Sequence, residues 1–148
     1  MIVRRSFDEL SFFLRRFAPR VTMRLDPSRV TLSTSAGEQH LTPTVSVARQ
    51  EGDWRITDVG DTTERAGHYV VNIFSDTFPT GVPERDDLFR AFFRGAVRKT
   101  MTRGVSLRPV VAVEGLASLD GPQRDMVIRA LEHAGAAAVI SPEGSGRR

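Results

Sequence analysis

Between residues 109 and 113 the chain reads Pro-Val-Val-Ala-Val, an apolar run bracketed on both sides by segments of helical period. This arrangement constrains the fold more than any other feature. The run is too short for a helix, and its lack of a polar alternate position marks a strand covered on both faces, as in parallel sheets. Upstream, Leu88, Phe89, Phe92, Phe93, Ala96, Val97 and Met101 recur at spacings of three and four, which predicts a helix over 86–103. Asp86 and Asp87 stand at its start, where the helix dipole favours carboxylates, and Gly104 is its natural stop. Downstream, Asp120-Gly-Pro-Gln123 has the form of a capped helix start, with proline in the first turn. Val127, Ala130, Leu131 and Ala134 supply the buried stripe of a helix over 121–134, which Gly135 ends. Ala137–Ile140 is a last short strand. The second half therefore reads helix–strand–helix–strand, and strands linked in this way lie parallel.

The first half changes period. Val21–Leu25 alternates as a half-buried strand, and Val30–Ser33 follows the turn former Asp26-Pro27-Ser28. A third run, Leu41–Ala48, lies beyond Ala36-Gly37-Glu38, which has the make-up of a hairpin turn. Pro43 confines the start of that run to an edge or entry position. These three strands are expected to form an antiparallel meander. Between the halves, Trp54-Arg55-Ile56 and His68–Phe74 have strand composition, 61–66 has the pattern of one or two helical turns ended by Gly67, and Phe78–Arg85 is a turn region. The expectation is one α/β domain over 20–140 with a mixed five-stranded sheet and Val110–Val113 as its central strand. Residues 1–19 precede it as an amphipathic leader and 141–148 follow as a flexible tail.

Composition narrows the function classes. The 148 residues include no Cys, which removes disulfide frameworks and thiolate metal sites. No apolar run approaches the ~20 residues of a membrane span, and no secretory signal pattern is present. Of 21 basic residues only Lys99 is lysine. Residues 1–25 hold six arginines against Asp8 and Glu9, whereas the rest of the chain is nearly neutral. The surplus is a basic leader and not the broad basic body that nucleic acid demands, so no nucleic-acid partner is expected.

The leader, RRSFDELSFFLRRF over 4–17, places Phe7, Leu10, Phe13, Leu14 and Phe17 on one helical face. Ser6 and Glu9 have capping-box spacing, and Pro19 closes the segment. Arg4, Arg5, Arg15 and Arg16 flank the apolar stripe at both ends, the pattern of a helix lying on an anionic bilayer surface or packed on a protein partner.

Catalytic motifs are sparse. His40, His68 and His133 lack the spacing or acidic neighbours of a zinc site, and neither a nucleophile elbow nor a P-loop occurs. Arg90, Arg94 and Arg98 form a basic rail, with Asp86 four residues before Arg90 and able to pair with it. Asp26, with Ser28 beside it, is the candidate for a phosphate or Mg²⁺ role, against a plain reading as a turn opener.

The order of three strands, a mixed insert and helix–strand–helix–strand is that of the ribonuclease-H-like half of actin-type ATPases. Five stretches resemble the N-terminal half of the bacterial actin homologue MreB, the rod-shape-determining family. They are the Phe- and Arg-rich leader running into LDPSRVTL; Leu41–Ala48, similar to "NEPSVVAI"; Val59-Gly-Asp-Thr-Thr63, similar to "VGEEA"; Phe78-Pro-Thr-Gly-Val82, similar to "RPLKDGVI"; and Leu107–Val113 with Gln123-Arg124 and Ala134-Gly135-Ala136, similar to "PRVVVGVP…ERRA…AGA". The resemblance implies a cytoplasmic, filament-associated protein concerned with cell shape, peripheral to the inner membrane. Its partner would be an actin-like filament or the chain itself.

In the family an Asp-Leu-Gly-Thr loop binds nucleotide phosphate through glycine amides. Here Pro27 and Ser28 follow Asp26, so Asp26 and Ser28 are at most a vestigial phosphate site. Glu143 falls near the family's catalytic acid, without the helix that supports it there, and the second ATP-binding domain has no counterpart in this sequence. No cofactor and no ATPase activity are therefore expected. Two rivals stay open: an actin-like domain that binds ATP and Mg²⁺ by completing its cleft through oligomerisation, and an unrelated α/β binding module.

Overall fold

Val21 and Met23 are buried and alternate with half-exposed or exposed Arg20, Thr22 and Arg24, which gives the first strand one core face and one polar face. In the computed structural model, which describes residues 20–60, 63, 66–75, 83–100 and 108–141, this strand, β1 (Arg20–Arg24), is the middle of five. β2 (Val30–Thr34) and β3 (Gly37–Leu41) continue it as an antiparallel meander. On its other side β7 (Val110–Glu114) and β8 (Ala138–Ile140) run parallel to it, in the order β3-β2-β1-β7-β8. The expected mixed five-stranded sheet is present, with β7 paired on both edges.

A second, three-stranded antiparallel sheet is inserted between β3 and the first helix. It consists of β4 (Thr44–Gln50), β5 (Asp53–Val59) and β6 (His68–Asn72), with β4 in the middle. Thr44 through Ala48 are all buried, as expected of a central strand. Glu51 and Gly52 both have positive φ, 53° and 88°, the backbone of a primed two-residue hairpin turn.

The third strand of the meander differs from the sequence reading. Leu41 ends β3, and the remainder of the 41–48 run forms β4 in the other sheet. Thr42 and Pro43 break the chain between them, because proline supplies no ladder donor. The hairpin turn is Ser35-Ala36, with Thr34 opposite Gly37, so Gly37 and Glu38 already belong to β3. Residues Gly37–His40 are exposed; an edge strand whose side chains mostly face water leaves no apolar alternation to read. The expected helical turn over 61–66 lies largely outside the described residues, as do the leader and the tail.

Helix α1 (Arg85–Thr100) and helix α2 (Gly121–His133) form on the predicted stripes; Met101 and the expected stop at Gly104 lie outside the described residues. Asp120 caps α2 by accepting from the Gln123 amide at 2.8 Å. Both helices bury their stripes against one continuous core that includes Met23, Val111 and Val113 of the first sheet and Val45, Val47 and Val71 of the second. Phe89, Phe92 and Phe93 are fully buried, and edge-on contacts link Phe74 to Phe89 (5.5 Å) and Phe92 to Phe93 (5.1 Å). Asp86 pairs with Arg129 of α2 at 3.9 Å instead of with Arg90, so the carboxylate tethers two helices and leaves the rail on α1 exposed.

Candidate functional site

In sheets with parallel strands, ligands gather outside the carboxyl ends of those strands. Here that rim is built by the loop after β1 and the turn after β7. The two are joined directly, since the Leu25 amide donates to the Glu114 carbonyl at 2.8 Å. Leu25 is buried, which anchors the start of the loop. Gly115 follows at φ 90°, and a Cβ there would collide with the Leu25 carbonyl oxygen. The close approach of the two strand ends thus requires glycine.

The two residues singled out from the sequence meet in this loop. Asp26 Oδ1 accepts from the Ser28 amide at 2.8 Å and from the Ser28 hydroxyl at 2.6 Å. The Arg29 amide donates to the Asp26 carbonyl at 3.1 Å. The Ser28 hydroxyl, then its amide, hold the Asp26 carboxyl below its ordinary range, with a smaller contribution from Arg29. Asp26 is therefore an exposed, firmly ionised carboxylate in an Asx turn.

For a phosphate the same geometry is unfavourable. Pro27 has no amide hydrogen, and the amides of Ser28 and Arg29 are both taken up by Asp26. The loop as folded offers an anion no backbone donor from residues 27 to 29 and presents it with a carboxylate. The cradle that a nucleotide phosphate requires is not formed by these residues.

One tie was not evident from the sequence. The Asn72 side-chain amide at the end of β6 donates to the Pro27 carbonyl at 2.8 Å, and its Oδ1 accepts from the Phe74 amide at 2.8 Å. This side chain clamps the second sheet to the loop of the first. Asn at a strand end is too common for its sequence position to reveal a partner 45 residues away.

The other candidates remain separate. His40 lies beside Thr31, its Nδ1 3.1 Å from the hydroxyl, in the outer hairpin. Among the described residues no group of His or acidic side chains could hold a metal ion. Arg90, Arg94 and Arg98 are exposed along α1. Phe7, Leu10, Phe13, Leu14, Phe17, Arg4, Arg5, Arg15, Arg16 and Glu143 lie outside the described residues. No described helix is long and apolar enough to cross a membrane.

The strand order, the paired helices and the rim at the ends of β1 and β7 define an actin-like fold. Solved structures similar to it include two actin-like proteins. A non-polymerising mutant of MamK bound to AMPPNP superposes with a TM-score of 0.60 at 13% identity, over 86% of this chain and 42% of that one. MreB 5 of Spiroplasma citri bound to AMPPNP gives 0.56 at 11% identity, over 84% and 38%. The chain thus spans about two fifths of the length of either protein. No protein-family model matches the sequence, and neither does any curated protein. The likeness to these actin-like proteins is one of fold.

Proposed function

We propose that this chain is a non-catalytic, actin-like interaction protein that binds an actin-like filament or further copies of itself, at the inner face of the membrane, in the service of cell shape. The observation that carries the reading is the closed Asp26–Ser28 turn. The resemblance to MreB implies a phosphate loop at this turn, and its amides are spent on its own carboxylate. The fold likeness to MamK and MreB supports a filament-type partner, and the arginine-flanked leader supports attachment to an anionic surface.

Calorimetric titration of the protein with ATP and Mg²⁺ should give no heat of binding, while the protein should pellet with polymerised MreB and remain in the supernatant without it. Micromolar, Mg²⁺-dependent ATP affinity would favour the rival in which an oligomer completes a working site. The ionised Asp26 is the group that would then face the metal. Absence from the filament pellet would remove the filament reading.

A further inference from the structure

Strand β3 (Gly37–Leu41) ends the five-stranded sheet on one side, and among the described residues it pairs with β2 alone. Sheet edges are commonly guarded by a lysine, a proline, a bulge or a covering element. β3 holds neither lysine nor proline, its register with β2 runs without a shift, and Gly37–His40 are exposed.

The turn decides which backbone groups this edge offers. Ser35-Ala36 is a two-residue turn with Thr34 opposite Gly37, and such a turn closes on a pair that exchanges both backbone bonds. The amides and carbonyls of Gly37, Gln39 and Leu41 therefore point to β2. Those of Glu38 and His40 point outward, where an added strand can bond to them.

The side chains of these two residues share the polar face of the sheet. The Ser33 hydroxyl donates to one carboxylate oxygen of Glu38 at 3.3 Å, and the Thr31 hydroxyl lies 3.1 Å from Nδ1 of His40. The second Glu38 oxygen and Nε2 of His40 have no partner among the described residues. A carboxylate accepts and an imidazole N–H donates, so the edge carries one group of each kind.

Their order selects the strand that fits. Outward residues of one strand must face outward residues of the next, which leaves few registers for two antiparallel copies of β3. Glu38 against Glu38 sets carboxylate on carboxylate, and His40 against His40 sets imidazole on imidazole. The register centred on Gln39 instead places Glu38 of each copy opposite His40 of the other. The two Glu38 residues then stand on a diagonal, roughly 7–8 Å apart. On the opposite face Gln39 meets Gln39, and each amide can both donate and accept. Gly37 meets Leu41, and the space beside Gly37 is open. Glu-Gln-His is thus its own complement when read backwards.

We propose that β3 pairs with β3 of a second copy, antiparallel about a two-fold axis at Gln39, so that two five-stranded sheets continue into one another through reciprocal Glu38–His40 contacts. The inference rests on the reading of the chain as a protein that acts by binding protein, and it specifies the surface for the self-association branch of that reading.

So small an edge makes a weak, reversible dimer. Sedimentation velocity on the full chain, over a concentration series rising to about 1 mM, should show it. Glu38→Lys sets a cation opposite the imidazole and His40→Glu sets carboxylate opposite carboxylate, so each should weaken the dimer at least about tenfold. An equimolar mixture of the two single variants should dimerise again, because one strand then offers the complement of the other. Gln39→Cys introduces a single thiol into a chain without cysteine, on the axis, where facing Cα atoms about 4.5 Å apart suit a disulfide. Diamide takes up the two protons and two electrons, and this variant should yield a linked dimer. Ser35→Cys, at the tip of the same hairpin and away from the axis, should not. Circular dichroism establishes that each variant is folded, and the parent's dimer and the cross-link stand even if a charge variant is not. A protein that stays monomeric throughout the series and gives no cross-link overturns the proposal. So does a dimer indifferent to both charge variants, or a cross-link formed equally from position 35. Loss of the filament reading alone would leave the dimer, its rescue by mixing and its cross-link intact.

Discussion

At the scale of single residues, the rim of the sheet depends on two local solutions. Gly115 sits at φ 90° against the Leu25 carbonyl, so Gly115→Ala adds both backbone strain and a collision. The expected cost is about 1–3 kcal/mol, visible as a lowered denaturation midpoint with an unchanged denaturant slope. An unaltered midpoint would show that the two strand ends can separate freely. Asp26 illustrates the second solution. The Ser28 hydroxyl and amide lower its pKa in the folded state. Its contribution to stability is therefore complete above the pKa of the unfolded carboxylate and is lost as the pH falls through the lower, folded value. Ser28→Ala removes the leading cause, so the Asp26 carboxyl should titrate closer to the ordinary range when followed by carboxyl carbon NMR. A titration curve superimposable on that of the parent would mean that the hydroxyl does not hold the carboxylate.

At the scale of elements, β7 is the strand on which the sheet closes. Val111 is fully buried and lies in register between Val21 of β1 and Val139 of β8. Val111→Asp would bury an unpaired carboxylate, at a cost of roughly 3–5 kcal/mol against a typical stability of about 5–15 kcal/mol. Loss of the cooperative thermal transition, or a large drop in its midpoint, is the expected result; a variant with the parental melting curve would contradict the strand assignment. The same strand also carries Glu114, which meets Arg24 at 3.2 Å on the polar face. Arg24 is mostly exposed there, so that pair contributes little, and the apolar face governs the element. The helices were legible for the same reason that β7 was: their stripes face one core, and period alone reports it. β3 was not legible, because Gly37–His40 turn their side chains to water and are held by backbone pairing with β2, which leaves no hydropathy signature.

At the scale of the whole molecule, the leader holds the charge excess and the Phe stripe. If it attaches the domain to an anionic bilayer, each inserted Phe contributes on the order of 1.5–3 kcal/mol and each nearby Arg about 1 kcal/mol. The full chain should then sediment with anionic vesicles in a salt-sensitive manner, and replacing Phe13 and Phe17 with Glu should abolish sedimentation while the melting curve is kept. A double variant that melts much lower would assign the stripe to the protein core or to a subunit contact, and equal sedimentation would end the membrane reading. Hydrophobic period, turn chemistry and the helix cap were enough to determine the helix–strand–helix–strand order of the second half, the two core stripes, the α2 start at Asp120 and the turn that Asp26 opens, because each is a local relation between neighbours in the chain. Tertiary structure alone decided that the 41–48 run divides between two sheets, that Asn72 clamps the Pro27 carbonyl, that Asp86 joins Arg129, and that β5 and α1 enclose a groove. These contacts join residues distant in sequence, and their free energy comes from packing and hydrogen bonding that exist only once both sheets close on the same core.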